Sequence, residues 1–331
     1  MTMNLKVTTL NQSNLIDNKQ TLLTDILNGL SSEKKFIPSK YFYDDKGSEL
    51  FNRITRHPDY YLTNCELEIL KTHKADLSHL LKQQSFNLIE LGPGEGIKSR
   101  ILIKQFLQDS LDFNYFAIDI SSKYLEQITK QFQQEFSDLK LVALQSDYFK
   151  GLEWLKTQSR RKSLLLFLGS SIGNFSYEHT QKFLQAIWTE LQDGDYFLIA
   201  FDLRKDIDIL LRAYNDNDGI TKEFNFNLLN RLNNELGANF NLALFYHYAP
   251  YNVYSGAMES YLVSSQEQTV FIKSLDKSFH FSAFEPIHVE FSYKYLLPQI
   301  NQLATNNGFS IVKNFLDSKN YFVDSLWQVH K

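Results

Sequence analysis

The chain contains a single cysteine, Cys65, among 331 residues. A disulfide within the chain is therefore excluded, which suits a reducing compartment, and the cytoplasm is the expected location. Long apolar runs are missing as well. The longest, Leu164-Leu165-Leu166-Phe167-Leu168, falls far short of the ~20 residues that cross a bilayer. It reads as a central sheet strand. The N-terminal stretch to about Gln20 is polar and lacks the apolar core of a secretory signal, so no membrane partner is expected. Positive charge is not in excess, since the net charge is -4. A nucleic-acid footprint needs a basic surplus, so the expected partner is a small molecule and not DNA or RNA. The eight histidines form no H-x-H or H-x-x-x-H pair, and no metal site is expected. Internal repeats, low-complexity blocks and Gly/Ser/Pro linkers are also absent. A monomer is expected.

What the chain does have is apolar and aromatic mass. Its 43% hydrophobic and 22% charged residues are ordinary for a globular protein, and its length suffices for a large core and two lobes. Eighteen Tyr and 27 Phe are many. Most aromatics fill core, but a surplus suits a pocket for an aromatic or cationic ligand.

The most informative stretch is Asn87-Leu88-Ile89-Glu90-Leu91-Gly92-Pro93-Gly94-Glu95-Gly96. A buried strand breaks into glycines there. A second apolar run, Tyr115-Phe116-Ala117-Ile118, stops on Asp119. Strand, glycine turn, helix, strand and acid together form the layout of a nucleoside-cofactor site on a doubly wound sheet. The spacing is G-x-G-x-G, and Pro93 stands where a pyrophosphate loop wants a free N–H. That favours S-adenosylmethionine (SAM) over NAD.

A βα alternation runs from about Phe86 to Asp202, with strands at Phe86–Leu91, Tyr115–Ile120, Leu141–Gln145, Ser163–Leu168 and Tyr196–Phe201. This implies a parallel sheet with crossover helices. Before it, helical spacing covers Leu22–Leu30, and Phe36–Leu50 reads as an ordered loop. A short helix follows at Glu49–Arg56, then a helix over Cys65–Leu81 capped by Asn64. After Asp202 the rhythm changes. Ile207–Leu236 is largely helical, Leu242–Tyr248, Ala257–Ser264 and Gln268–Phe271 read as antiparallel strands, and Lys294–Thr305 reads as a helix. Phe309–Phe315 and Tyr321–His330 form a closing hairpin. The expected fold is α/β, a Rossmann-like SAM-binding domain (66–204 plus 294–331) with an inserted α+β substrate-binding lobe (1–65 plus 205–293).

Ligands of open α/β sheets bind beyond the carboxyl ends of the strands. Glu90, Asp119, Asp147 and Asn174 lie at four such ends. Glu90 would align the glycine turn by accepting its N–H groups. Asp119 suits a ribose, while Asp147 with Tyr148 suits an adenine. Asn174 lies where a methyl group would be presented. For each acid alone, a helix N-cap is the competing role. Gly-Ser-Ser-Ile-Gly at 169–173 holds Ser171 in a G-x-S-x-G frame, but no acid and histidine follow at later strand ends, so a hydrolase is not supported. Cys65 is taken as structural.

These residues resemble a known family, the histidine Nα-methyltransferases that make the trimethylated histidine betaine used in ergothioneine synthesis. The resemblance is carried by Lys40-Tyr41-Phe42-Tyr43-Asp44, Gly47-Ser48-Glu49-Leu50-Phe51, Pro58-Asp59-Tyr60-Tyr61 and Leu91-Gly92-Pro93-Gly94. It continues in Phe167-Leu168-Gly169-Ser170-Ser171-Ile172-Gly173-Asn174-Phe175, Ala213-Tyr214-Asn215-Asp216 and Glu290-Phe291-Ser292-Tyr293-Lys294-Tyr295. The resemblance implies that Tyr43, Gly92, Lys98, Asp119, Asp147 and Tyr148 contact SAM. It implies an amino-acid pocket of Phe51, Tyr60, Asn174, Tyr214, Glu290 and Ser292. Asn174 and Tyr214 would hold the substrate's amino and carboxylate groups, and Glu290 and Ser292 the imidazole. The implied activity is SAM-dependent methylation of histidine. One departure stands out: Ser260 occupies the place where these enzymes usually set Met against the ring. Related enzymes methylate a tryptophan derivative, so another aromatic amino acid is the alternative substrate. A SAM-binding module without catalysis is the alternative of a different class.

Overall fold

The structure, a computed structural model, describes residues 8–10 and 14–331. Part of the polar N-terminal stretch, residues 1–7 and 11–13, lies outside the described residues. The helices, in chain order, are α1 (Asn14–Ser31), α2 (Asp45–Thr55), α3 (Tyr61–Leu81), α4 (Ile97–Gln108), α5 (Ser122–Glu135), α6 (Tyr148–Gln158), α7 (Tyr177–Glu190), α8 (Ile207–Tyr214), α9 (Ile220–Leu236) and α10 (Leu297–Asn306). The strands are β1 (Thr8–Thr9), β2 (Phe86–Leu91), β3 (Phe113–Asp119), β4 (Leu141–Gln145), β5 (Lys162–Phe167), β6 (Tyr196–Asp202), β7 (Phe245–Tyr248), β8 (Tyr251–Asn252), β9 (Ala257–Ser264), β10 (Gln268–Ile272), β11 (Lys277–Phe281), β12 (Pro286–Tyr293), β13 (Phe309–Leu316) and β14 (Phe322–Val329). The chain divides into two compact units.

The first unit comprises Asn64–Leu203 and Tyr295–Lys331, with residues 8–10. Its eight-stranded sheet has the order β1-β4-β3-β2-β5-β6-β14-β13. All neighbours are parallel except β14, which runs antiparallel to both β6 and β13. Every residue of β2 is buried, because helices cover both faces of the sheet. One face packs Ile89, Leu165 and Ile199 against Leu184 and Ile187 of α7 and Ile300 of α10. On the other, Phe106 of α4 lies edge-on to Phe86, and Phe132 of α5 against Tyr115.

Three helices differ from expectation. Asn64 is not a cap: α3 begins at Tyr61 and Asn64 lies inside it. The sequence reading missed α6 altogether, since Gly151 lowers helix propensity. The glycine is there for space, because a Cβ would come 2.7 Å from Ile118 Cγ2 on β3. The helix expected from Lys294 starts instead at Leu297, with Pro298 in its first turn where a missing N–H costs nothing.

The second unit comprises residues 14–63 and Arg204–Lys294. Strands β12, β9 and β7 form an antiparallel sheet with β8 paired to β9, and β10–β11 form a separate hairpin. Leu228, Leu229 and Leu232 of α9 share a core with Leu262 and Ile287 of the sheet and with Ile26 of α1. The stretch read as a loop over Phe36–Leu50 holds a 3-10 turn, Ser39–Phe42, and the start of α2. Asp44 caps α2 by accepting from Gly47 N at 2.6 Å. A Cβ on Gly47 would collide with the Phe42 carbonyl, so only glycine closes this turn.

The first unit depends on Trp327 of β14. It is fully buried against Phe197, Phe201 and Phe309, at centroid distances of 5.9, 5.9 and 5.4 Å, and its Nε1 donates to Ser325 Oγ at 2.7 Å. Trp327→Ala is expected to cost about 3–5 kcal/mol through the cavity it leaves. Urea unfolding measures this, and a loss below about 1 kcal/mol would contradict the packing described.

Candidate active site

In the first unit the strand order reverses at β2, between β3 and β5, and the glycine turn leaves the carboxyl end of β2. Gly92, Gly94 and Gly96 have φ of 66°, 55° and 69°, a region that favours glycine. Gly92 N donates to Ile118 O at 2.9 Å, which ties the turn to β3. A Cβ on Gly92 would lie 2.7 Å from Tyr148 Oη, whereas one on Gly94 would meet open space. The turn thus presents bare backbone to a ligand beside the Tyr148 ring. Glu90 does not align this turn as expected: it accepts from Tyr115 Oη at 2.5 Å beneath the sheet.

Asp119 ends β3 and accepts from Ser121 N at 2.9 Å. Burial pushes its carboxyl pKa up, against the pull of the Ser121 and Ile120 N–H groups. A ligand bringing hydroxyl donors would relieve that cost. Burial and the nearby Asp119 charge also raise the Tyr148 phenol, which stays protonated as a donor. Asp147 caps α6 through Lys150 N at 3.0 Å, the competing role foreseen for it, and remains half-exposed.

Two further places complete this end of the sheet. Lys98 Nζ pairs with Glu66 Oε2 at 2.5 Å, and Glu66 Oε1 accepts from Gly169 N at 2.7 Å. Glu66 is fully buried, and no role was read for it beyond a helix first turn. Asn174 closes the 3-10 turn Ser171–Asn174 and is half-buried. The turn is held by Ser171 Oγ on Leu168 O at 3.1 Å and by Ser170 Oγ, which accepts from Asp202 N at 2.9 Å.

In the second unit an aromatic row connects Tyr43, Phe51, Tyr60 and Tyr214. Successive ring centroids lie 5.5, 6.4 and 6.4 Å apart. Tyr43 therefore packs among residues assigned to the amino-acid pocket. Phe224, given no site role in the sequence, joins the row 5.9 Å from both Tyr43 and Phe51. Tyr214 ends α8, and its position is stitched by its neighbours. Asn215 Nδ2 donates to Ala249 O at 2.9 Å, and Asp216 accepts from Ile220 N and Thr221 N at 2.7 and 2.8 Å.

Glu290 and Ser292 point to one face of β12, two residues apart. Ser292 Oγ lies 2.7 Å from Tyr214 Oη. Directly across from Glu290 on β9 stands Ser260, so the departure in sequence falls beside the acid. Burial pushes the Glu290 carboxyl up to about 7, with Lys294 pulling the other way. Lys294 was missed, although it continues the i, i+2, i+4 series of Glu290 and Ser292. Only 2% exposed, it donates to Tyr214 Oη at 2.8 Å and Ser292 Oγ at 2.9 Å.

A family profile described as histidine-specific, SAM-dependent methyltransferase matches residues 22–329. The chain belongs to this family. The histidine N-alpha-methyltransferase of Mycobacterium tuberculosis is 35% identical over 274 residues, spanning 83% of this chain and 84% of that protein. That of Mycolicibacterium smegmatis is 34% identical over 276 residues, 83% and 85% of the two chains. The 4-dimethylallyltryptophan N-methyltransferase of Claviceps purpurea is 30% identical over 211 residues, 61% of each chain. This chain is accordingly a SAM-dependent methyltransferase, and its first unit has the class I fold of such enzymes. The open, side-chain-free turn at Gly94 and the buried, raised acid at Asp119 fit that cofactor.

Asp119→Ala is expected to weaken SAM binding by about 1–3 kcal/mol, the cost of losing a charged hydrogen-bond acceptor. Calorimetric titration checks this, and an unchanged affinity removes Asp119 from the site. A second expectation concerns Glu290. Its folded carboxyl keeps its proton to higher pH than in the unfolded chain, so between about 4.5 and 7 the folded state binds more protons. Stability from this group is therefore lost as pH rises through that window. Glu290→Gln should be more stable than the wild type at pH 8, on the order of 3 kcal/mol, and about equal to it near pH 4. Unfolding curves at the two pH values decide it, and a difference that does not grow with pH refutes it.

Proposed function

We propose that the enzyme methylates the α-amino group of L-histidine and carries the product to the trimethylated betaine, hercynine. The observation that carries this reading is the pairing of a half-buried carboxylate, Glu290, with a hydroxyl, Ser292, on one strand face. A neutral imidazole has one N–H donor and one acceptor nitrogen, and an acid beside a hydroxyl complements both. Two relatives bearing the name histidine N-alpha-methyltransferase support the same reading.

Bound SAM supplies a methyl group activated by its sulfonium. The protein's part is positional. In this reading Asp119, Tyr148 and the Gly92 turn hold the nucleoside, with Lys98 and Tyr43 as further contacts and Asp147 toward the adenine. Asn174 orients the attacking nitrogen, which loses a proton before each transfer, and Tyr214 holds the carboxylate. Phe51, Tyr60 and Tyr214 offer ring faces to a growing quaternary ammonium, an electrostatic fit that strengthens as the charge becomes permanent. The first unit is the SAM-binding domain and the second the substrate-binding lobe.

A second reading has one observation in its favour. Ser260 across from Glu290 is small, which leaves room for a bulkier ring such as indole. A competition assay with equimolar histidine, tryptophan, tyrosine and phenylalanine tests both. Histidine is expected to outcompete phenylalanine at least about tenfold, roughly 1.4 kcal/mol, because phenylalanine leaves Glu290 unpaired. If tryptophan or tyrosine is the main acceptor, the histidine assignment falls. Mass spectrometry of the product reads the number of methyl groups added.

A further inference from the structure

Tyr214 is the last residue of α8, and its two ends are held from opposite edges of one sheet. Its hydroxyl lies 2.7 Å from Ser292 Oγ and accepts from Lys294 Nζ at 2.8 Å, both at the end of β12. Its carbonyl lies 3.2 Å from His247 Nε2 on β7. His247 has no part in the site described so far. Alternation turns it inward with the buried Phe245 and leaves Tyr246 and Tyr248 exposed. In register it stands across from Leu262 of β9. The same end of α8 packs Ala213 and Tyr214 against Ala249 and Met258, so side chains also dock the helix on this sheet.

A main-chain carbonyl can only accept, so Nε2 carries the proton in this contact and a neutral His247 keeps Nδ1 bare. Nδ1 is buried and has no hydrogen-bond partner among the described residues. A second proton there would find no acceptor. Burial pushes the ring's pKa down, against the Tyr214 carbonyl and Asp216, with Lys222 acting in the same direction as burial. The ring is thus held neutral, with one donor, and that donor is aimed at the helix end. Carbonyls in a last helical turn take partners outside the helix, and this one takes His247. A leucine of similar bulk would fill the space without leaving a buried nitrogen unmatched. What the histidine adds over leucine is the anchor on Tyr214.

We infer that His247 is a positioning residue for the substrate's carboxylate: it acts through Tyr214 and makes the site select amino acids over amines that lack this group. Held at its hydroxyl from β12 and at its carbonyl from β7, Tyr214 has one placement. Helix ends fray, and without the β7 anchor the last turn of α8 is free to shift and to carry the phenol away from the carboxylate. The inference rests on the reading of Tyr214 as the residue that holds the carboxylate, and it adds what fixes that residue in place.

The test measures affinity by calorimetry with S-adenosylhomocysteine present, for L-histidine and for histamine, which is histidine without its carboxylate. His247→Leu is expected to weaken histidine binding at least fivefold and histamine binding less than twofold. His247→Gln sets an amide N–H where the Nε2 proton stood and should recover most of the loss. His247→Asn, one methylene shorter, should not. In a Tyr214→Phe background, His247→Leu should weaken histidine little further, because His247 acts through that residue. Equal losses for histidine and histamine mark a scaffold role and overturn the inference. Full additivity with Tyr214→Phe overturns it too, as does His247→Gln binding histidine no better than His247→Asn. If His247→Leu does not fold, or histamine binds too weakly to titrate, the comparison of His247→Gln with His247→Asn decides. Tyr214→Phe weakening both ligands alike would take Tyr214 off the carboxylate and sink the underlying reading. Tyr214→Phe weakening histidine alone, with His247→Leu changing nothing, sinks only the inference.

Discussion

The first unit depends on one constraint: β2 is buried on both faces, so it can expose chemistry only at its end. A parallel strand sealed between helices has nowhere else to present backbone to a ligand. The turn that follows must leave the sheet at once, which is why three glycines with positive φ occur within five residues. The same constraint acts at β3 and β5. Asp119 is the last residue of β3, and the turn after β5 is held by Glu66 through Gly169 N. Glu66 therefore joins helix α3, the Lys98 ammonium and the β5 turn in a single buried arrangement.

Buried charge is managed differently in the two units. In the first, Asp324 of β14 is fully buried, and neither oxygen has a hydrogen-bond partner. Burial and the Glu66 charge keep its carboxyl protonated well above the usual range, with Lys98 opposing. The acid escapes the cost of a buried charge by remaining neutral. In the second, Lys294 is solvated by hydroxyls, and Glu290 is left near the point of ionising at neutral pH. A carboxyl so placed gains most from a group that brings a hydrogen-bond donor.

The motif FYD–GS–LF shows how a stretch without chemistry of its own can position chemistry. Asp44 caps α2 and also accepts from Asn227 Nδ2 at 2.8 Å, while Gly47 leaves room for the Phe42 carbonyl. These contacts place Tyr43 and Phe51 at the head of the aromatic row. Asn215 and Asp216 do the same for Tyr214 by closing the connection between α8 and α9. None of these four residues needs to touch a ligand for its loss to matter.

The sequence by itself determined the βα alternation, the glycine turn and the acids at strand ends, because those signals are local: period, turn chemistry and the distance from strand to turn. It misjudged Phe36–Leu50, Asn64 and α6, where caps and glycines serve contacts that propensity does not see. It passed over Glu66, Lys294 and Asp324, because a lone charged residue looks solvated until its surroundings are known. It could flag Ser260 but not say what faces it. Strand register put Ser260 across from Glu290, and helix packing brought the Tyr214 hydroxyl to Lys294. Those are relations between residues 30 and 80 positions apart in the chain. Only tertiary structure could decide them, since pairing and burial are set by which elements meet and not by what any one segment prefers.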